Sequence, residues 1–112
     1  GDQGRFDLAQ ARFDEALAVY QEALAIDGRC SGTESREYSI TLSNVALLHQ
    51  QQGRFQEAID IYDTMIPLER KVYGDSHPQL ATTFQNMGTC FFKLKSFLLA
   101  TQSYQRAGRI SC

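Results

Sequence analysis

The chain has 112 residues, of which 43% are hydrophobic and 21% charged, a composition that predicts one soluble domain with a packed core. Its longest apolar run is five residues, against the roughly 18 that a membrane span needs, so we expect no membrane insertion. The formal charge of −2 gives no overall attraction to a nucleic-acid backbone, and we expect no nucleic-acid partner.

Reactive side chains are few and scattered. The three cysteines are an odd number without C-x-x-C spacing, which predicts no disulfide framework, no metal site, no cofactor and a reducing, cytoplasmic location. Phosphate-binding and nucleophile motifs are missing from the sequence, so we predict no catalytic residues and no enzymatic activity. We expect His49 and His77 to have structural roles and Cys90 to be a small buried hydrophobic residue.

The first predicted element is a long helix over residues 5–27. Its apolar side chains recur every three or four residues and fall on one helix face: Phe6, Ala9, Phe13, Ala16, Tyr20 and Ala23. An apolar stripe of this length must pack against another helix, because water would otherwise cover it.

Four further helices are predicted, in two pairs. A connector of a few residues joins the members of each pair, which is the length of a tight turn between antiparallel helices. The predicted ranges are 37–51 with 55–72, and 78–93 with 97–109.

Two local signals modify these helices. Pro67 lies inside the third helix, where it removes a backbone donor, so we expect a kink or an early end near residues 64–66. At the start of the fourth helix, Ser76 is predicted as the N-cap, with Pro78 in the first turn.

An internal repeat of 42 residues relates these segments. The aligned identities are Phe13 with Phe55 and Phe97, Ala16 with Ala58 and Ala100, and Tyr20 with Tyr62 and Tyr104. The chain therefore contains about two and a half helix-turn-helix repeats: the second helix of the first repeat (5–27), a complete second repeat (37–72) and a complete third (78–109).

The third repeat resembles a known family. Phe84-x2-Met87-Gly88-x2-Phe91, followed by Ala100 and Tyr104, is similar to the W-x2-L-G-x2-Y…A-x3-F pattern of tetratricopeptide repeats. The 42-residue period resembles the kinesin-light-chain form. The resemblance implies an all-α, right-handed superhelical solenoid of five helices in a single domain over residues 1–112. Since about three repeats are usually needed for stability, we expect a fragment of a longer array or a self-associating chain.

The resemblance also implies a function. First helices of such repeats line a groove, here 37–51 and 78–93, and members of the family bind peptides there. Asn44 and Asn86 match the asparagine that hydrogen-bonds an extended ligand. The predicted partner is a protein or peptide, and the predicted peptide-binding residues are Ser43, Asn44, Leu47, Gln51, Thr82, Gln85, Asn86, Thr89 and Lys93.

Three alternatives remain at this point. The asparagines could instead bond one helix to another. The repeats could serve as a spacer or a homo-oligomerisation segment, because Leu98 and Leu99 put apolar side chains on a surface position. Residues 76–112 carry a net charge of +4 and residues 1–75 a net charge of −6, which fits either an acidic partner or a solvated basic end.

Overall fold

The computed structural model describes residues 2–30, 32 and 34–111, and in them it contains five α-helices and no strand. The helices are α1 (Asp2–Cys30), α2 (Arg36–Gln51), α3 (Phe55–Tyr73), α4 (Pro78–Lys93) and α5 (Phe97–Ser111). Each helix packs on its neighbour in the chain, most extensively α4 on α5. The Cα envelope measures 47 × 39 × 17 Å, and its short dimension is about two helix layers. The predicted all-α solenoid of five helices is confirmed.

The helix ends agree with the predicted ranges except in α1, which extends three residues beyond the prediction at each end. Gly4 and Gly28, which lie just outside the predicted range, are both inside α1. Glycine in a helix interior costs only about 1 kcal/mol relative to alanine, which the flanking helix-forming residues can offset.

The expectation that α3 ends early at Pro67 is wrong. The helix continues from Phe55 to Tyr73 with Pro67 inside it. Pro67 is exposed, whereas its neighbours Ile66 and Leu68 are buried. Their packing in the core outweighs the backbone hydrogen bond that proline cannot donate.

The N-cap of α4 is His77 and not Ser76 as predicted. The His77 Nδ1 accepts a hydrogen bond from the backbone N–H of Gln79 at 3.0 Å. The imidazole stacks on Tyr73 with ring centroids 4.6 Å apart, which holds the ring where it can accept that bond. Pro78 occupies the first helical position, as predicted.

The tight turns within the two complete repeats share one backbone feature. Gly53 has a φ of 77° between α2 and α3, and Lys95, 42 residues later, has a φ of 62° between α4 and α5. This left-handed conformation suits glycine, and the third repeat holds it with a lysine. The turn geometry is therefore imposed by the packing of the helix pair.

The core lies where α3 packs between α2 and α4. Its fully buried side chains include Ala46, Ala58, Tyr62, Met65, Leu80, Phe84 and Cys90. The repeat positions of Ala58 and Met65 are also buried in α5, as Ala100 and Ala107, but the tyrosine position is not, because α5 packs mainly on α4. Tyr62 is completely buried, whereas its repeat equivalent Tyr104 is 43% exposed.

Gly88 allows the close approach of α4 and α5. A Cβ atom at this position would lie 2.7 Å from the Cε1 of Tyr104, closer than van der Waals contact permits. The equivalent residue of the preceding repeat is Ala46, which is fully buried. A small residue at this position is thus what brings the second helix of a repeat against the first.

Candidate functional site

Two stripes of exposed and half-buried side chains run along the first helices of the two complete repeats. We call Ile40, Asn44, Leu47 and Gln51 the α2 stripe, and their equivalents 42 residues later, Thr82, Asn86, Thr89 and Lys93, the α4 stripe. Their spacing of four, three and four residues puts each set on one helix face. The opposite faces carry Val45 and Ala46 in α2, and Phe84 and Met87 in α4, into the interior.

The α2 stripe combines apolar and amide groups. Ile40 is 49% exposed and Leu47 is 38% exposed. Asn44 lies between them and Gln51 lies one turn after Leu47, and both amides are exposed. Ser43 is half-buried at the edge of the stripe. Such a surface can bury apolar atoms of a ligand while an amide supplies both hydrogen-bond donors and an acceptor.

Asn86 of the α4 stripe lies beside the buried side chain of Tyr62. The Tyr62 hydroxyl donates a hydrogen bond to the Oε1 of Gln50 at 3.0 Å. Burial raises the pKa of Tyr62, the adjacent Cys90 acts in the same direction, and a hydrogen bond from Asn86 acts against them. Asn86 is half-buried, whereas Asn44 is exposed, so the two equivalent asparagines differ in surroundings.

Thr89 is also engaged within the protein. Its hydroxyl lies 3.1 Å from the Tyr104 hydroxyl and donates to the backbone carbonyl of Gln85, which ties α4 to α5. Thr82, Gln85 and Lys93 are exposed. The residues of the predicted site that face solvent most freely are thus in the α2 stripe and at the two ends of the α4 stripe.

The titratable residues singled out from the sequence lie away from both stripes. Burial raises the pKa of the Cys90 thiol to about 11, which keeps it protonated and weakly nucleophilic at neutral pH. Burial lowers the pKa of His49, whose ring packs edge-on against Phe13 at 5.6 Å. In the described part of the chain, no three His, Cys, Asp or Glu side chains come together as metal ligands would.

Each complete repeat has a surface notch beside its two helices, and the sequence predicted neither notch. The first, of about 310 Å³, is bordered by Tyr38, Leu42 and Pro67, and we call it the apolar notch. The second, of about 390 Å³, is bordered by Arg70, Arg106, Arg109 and Phe84, and we call it the cationic notch. The net charge of +4 over residues 76–112 is the sequence feature that could have indicated the cationic notch.

Comparison with known proteins places this arrangement in a family. The tetratricopeptide repeat model matches residues 2–68 and, in a second register, residues 37–111. The chain belongs to the tetratricopeptide repeat family. Its α2 and α4 are the first helices of two repeats, which line the inner face of the superhelix in such arrays.

A solved structure supports the kinesin-light-chain-like form of these repeats. The crystal structure of BtubC (BKLC) from P. vanneervenii is similar to this chain with a TM-score of 0.80 and 26% sequence identity. The similarity covers 91% of this tetratricopeptide chain and 41% of that one, so the chain spans about two fifths of that structure. The comparison with curated protein sequences found no significant match.

No helix in the part of the chain that the structure describes has the length and apolar character needed to cross a bilayer. Tetratricopeptide repeats generally mediate protein–protein interaction.

Proposed function

We propose that this chain is a non-enzymatic, cytoplasmic interaction module that docks a peptide segment of a partner protein in the groove between the α2 and α4 stripes. The observation that carries the proposal is the exposed Asn44 amide flanked by the exposed apolar side chains of Ile40 and Leu47. The proposed site consists of the residues predicted from the sequence, and it uses no metal or cofactor.

In the proposed docking, apolar groups supply binding energy and polar groups orient the peptide. Burial of apolar surface contributes about 25 cal/mol per Å², so Ile40 and Leu47 would supply binding energy. The Asn44 amide would fix the direction of the peptide by pairing with its backbone. A backbone contact of this kind tolerates different ligand side chains, which suits an adaptor.

We expect Asn44→Ala to weaken peptide binding by about 1–3 kcal/mol, because it leaves a buried peptide group of the ligand without its hydrogen bond. The ligand is a peptide selected by wild-type protein from a displayed random library, and the dissociation constant is measured by fluorescence anisotropy. Asn86→Ala is measured separately, since Asn86 also contacts Tyr62 inside the protein.

The matched control is Gln102→Ala with Gln105→Ala, which removes two exposed amides from α5. We expect this control to bind the selected peptide as tightly as wild type. Unchanged affinity in the Asn44→Ala variant would refute the groove assignment, and so would an equal loss in the α5 control.

A second candidate function is that of a structural spacer or homo-oligomerisation segment. The supporting observation is the apolar outer surface of α5, where Phe97 is 56% exposed, Leu98 71% and Leu99 46%. A surface patch of this kind often marks an interface.

Sedimentation velocity at tens of micromolar discriminates between the two candidates. The peptide-docking proposal predicts a monomer. The second candidate predicts a larger species that Leu98→Ser with Leu99→Ser converts to a monomer, because the substitutions replace the apolar interface. A larger species that persists in that variant would exclude assembly through this face of α5.

A further inference from the structure

The cationic notch gathers three arginines from two helices around one aromatic ring. Arg70 comes from α3, and Arg106 and Arg109 come from successive turns of α5. The Cζ of Arg106 lies 4.4 Å from the centroid of the Phe84 ring. Stacking on an aromatic face positions a guanidinium while leaving its N–H edges free to donate hydrogen bonds.

The acidic residue beside the notch compensates only part of this charge. Asp75 lies 3.9 Å from the Nε of Arg70, and both side chains are exposed, so the pair is weak. The sequence contains no Asp or Glu after Asp75. Three cations and one carboxylate therefore border a notch of about 390 Å³.

The 42-residue repeat shows that the notch is a feature of the fold and that its charge is particular to the third repeat. Thr64 and Pro67 of the apolar notch occupy the repeat positions of Arg106 and Arg109. Leu42 occupies the position of Phe84. Lys71, the cation beside the apolar notch, is paired with Glu34 at 2.7 Å.

The same comparison indicates that a neighbouring repeat leaves such a notch open. In the second repeat α4 packs against α3, and Thr64, Pro67 and Lys71 nevertheless remain exposed. The equivalent position between α4 and α5 would thus stay accessible with another helix packed on α5.

We propose that the cationic notch binds the oxyanion of an acidic peptide segment, either Asp and Glu carboxylates or a phosphorylated side chain. Guanidinium groups present planar forks of N–H donors that match carboxylate and phosphate oxygens. An extended polyanion such as a nucleic acid would also meet the net charge of −6 on residues 1–75, whereas a short acidic segment can stay within the notch.

This site is separate from the groove of the α2 and α4 stripes. Two of its three arginines come from α5, and none belongs to either stripe. It goes beyond the proposed peptide groove, and either site can exist without the other.

The test uses three fluorescein-labelled octapeptides of glycine and serine, measured by fluorescence anisotropy. One contains three glutamates, one contains three glutamines in the same places, and one contains a single phosphoserine. We expect the glutamate or the phosphoserine peptide to bind at least about tenfold more tightly than the glutamine peptide, because only those two offer oxyanions to the arginines. The stronger of the two identifies carboxylate or phosphate as the source of the oxyanion.

The decisive variant is Arg106→Gln with Arg109→Gln, which we expect to reduce affinity for the stronger anionic peptide by about tenfold or more. The matched control is Arg29→Gln with Lys95→Gln, which removes the same charge from exposed positions outside the notch, and we expect it to bind within about twofold of wild type. Circular dichroism confirms the fold of each variant. Because Arg106 packs on Phe84, the single variant Arg109→Gln serves if the double variant does not fold.

Three results would overturn the proposal. The first is equal binding of all three peptides, including no binding of any, and the second is an equal loss in the charge-matched control. The third is an equal loss in Asn44→Ala, which would place the anion in the groove. If Asn44→Ala weakens binding of the library-selected peptide but leaves binding of the anionic peptide unchanged, the result would support two separate sites.

Discussion

Tyr62→Ala is expected to lower the free energy of unfolding by about 3–5 kcal/mol, the usual cost of removing a large buried aromatic side chain. Tyr62 is completely buried in the core between α2 and α4, and its hydroxyl donates to Gln50. The substitution leaves a cavity and deprives Gln50 of a hydrogen bond. Since domains of this size are typically stable by about 5–15 kcal/mol, the loss would be a large share of the total.

Tyr104→Ala provides a control with the same substitution at the same repeat position. Tyr104 is 43% exposed, and its hydroxyl lies 3.1 Å from that of Thr89. We expect a loss of about 1–2 kcal/mol, because less apolar surface leaves a buried environment. Urea unfolding followed by circular dichroism measures both variants, and equal losses would contradict the central position of α3 in the core.

The contrast between these two tyrosines shows what the sequence could predict about the fold. Residues at the same place in a repeat form the same helix, and the repeat period with its short connectors predicted α2 to α5 to within two residues at each end. Their burial depends on which helices pack on both sides. The sequence pattern is identical at Tyr62 and Tyr104, so it could not distinguish them.

Contacts in the folded protein overruled two predictions that rested on local chemistry. Pro67 stays within α3 since Ile66 and Leu68 on either side are held in the core. His77 displaces Ser76 as the N-cap since its ring stacks on Tyr73 from the preceding helix. The residues involved are close in sequence, but their burial and stacking depend on the packing of α3 and α4 and could not be inferred from the sequence pattern.

Some parts of the candidate site could also be predicted from the sequence, and others could not. The α2 and α4 stripes could be predicted because residues spaced by three and four share a helix face, and the 42-residue period relates the two helices. The cationic notch could not be located, because Arg70 and Arg106 are brought together only by the packing of α3, α4 and α5. The half-burial of Asn86, in contrast to Asn44, likewise depends on how α4 packs against its neighbours.

Glu69→Gln is expected to stabilise the protein at neutral pH by about 1–3 kcal/mol, because it replaces a buried carboxylate, whose charged form is poorly solvated, with a neutral amide. Glu69 is completely buried between α3 and α4, where its Oε1 lies 2.6 Å from the hydroxyl of Thr83. Its Oε2 finds no hydrogen-bond partner in the described part of the chain. Glutamine keeps the contact with Thr83 and removes the ionisable group.

The pH dependence follows from the direction of the pKa shift. Burial raises the pKa of Glu69 above its ordinary value of 4.5, although the hydrogen bond from the Thr83 hydroxyl acts in the opposite direction. The folded state therefore binds this proton more tightly than the unfolded state. The contribution of Glu69 to stability is greatest below about pH 4.5 and is lost as the pH rises through the folded-state pKa.

Urea unfolding of wild type and Glu69→Gln across this pH range measures the effect as a difference, which cancels the titration of groups common to both proteins. We expect the advantage of the variant to grow as the pH rises. Asp63→Asn, at an exposed position of the same helix, is expected to change stability by less than about 0.5 kcal/mol. A constant difference between wild type and Glu69→Gln would mean that both folded and unfolded states bind the proton equally, and that burial of Glu69 carries no electrostatic cost.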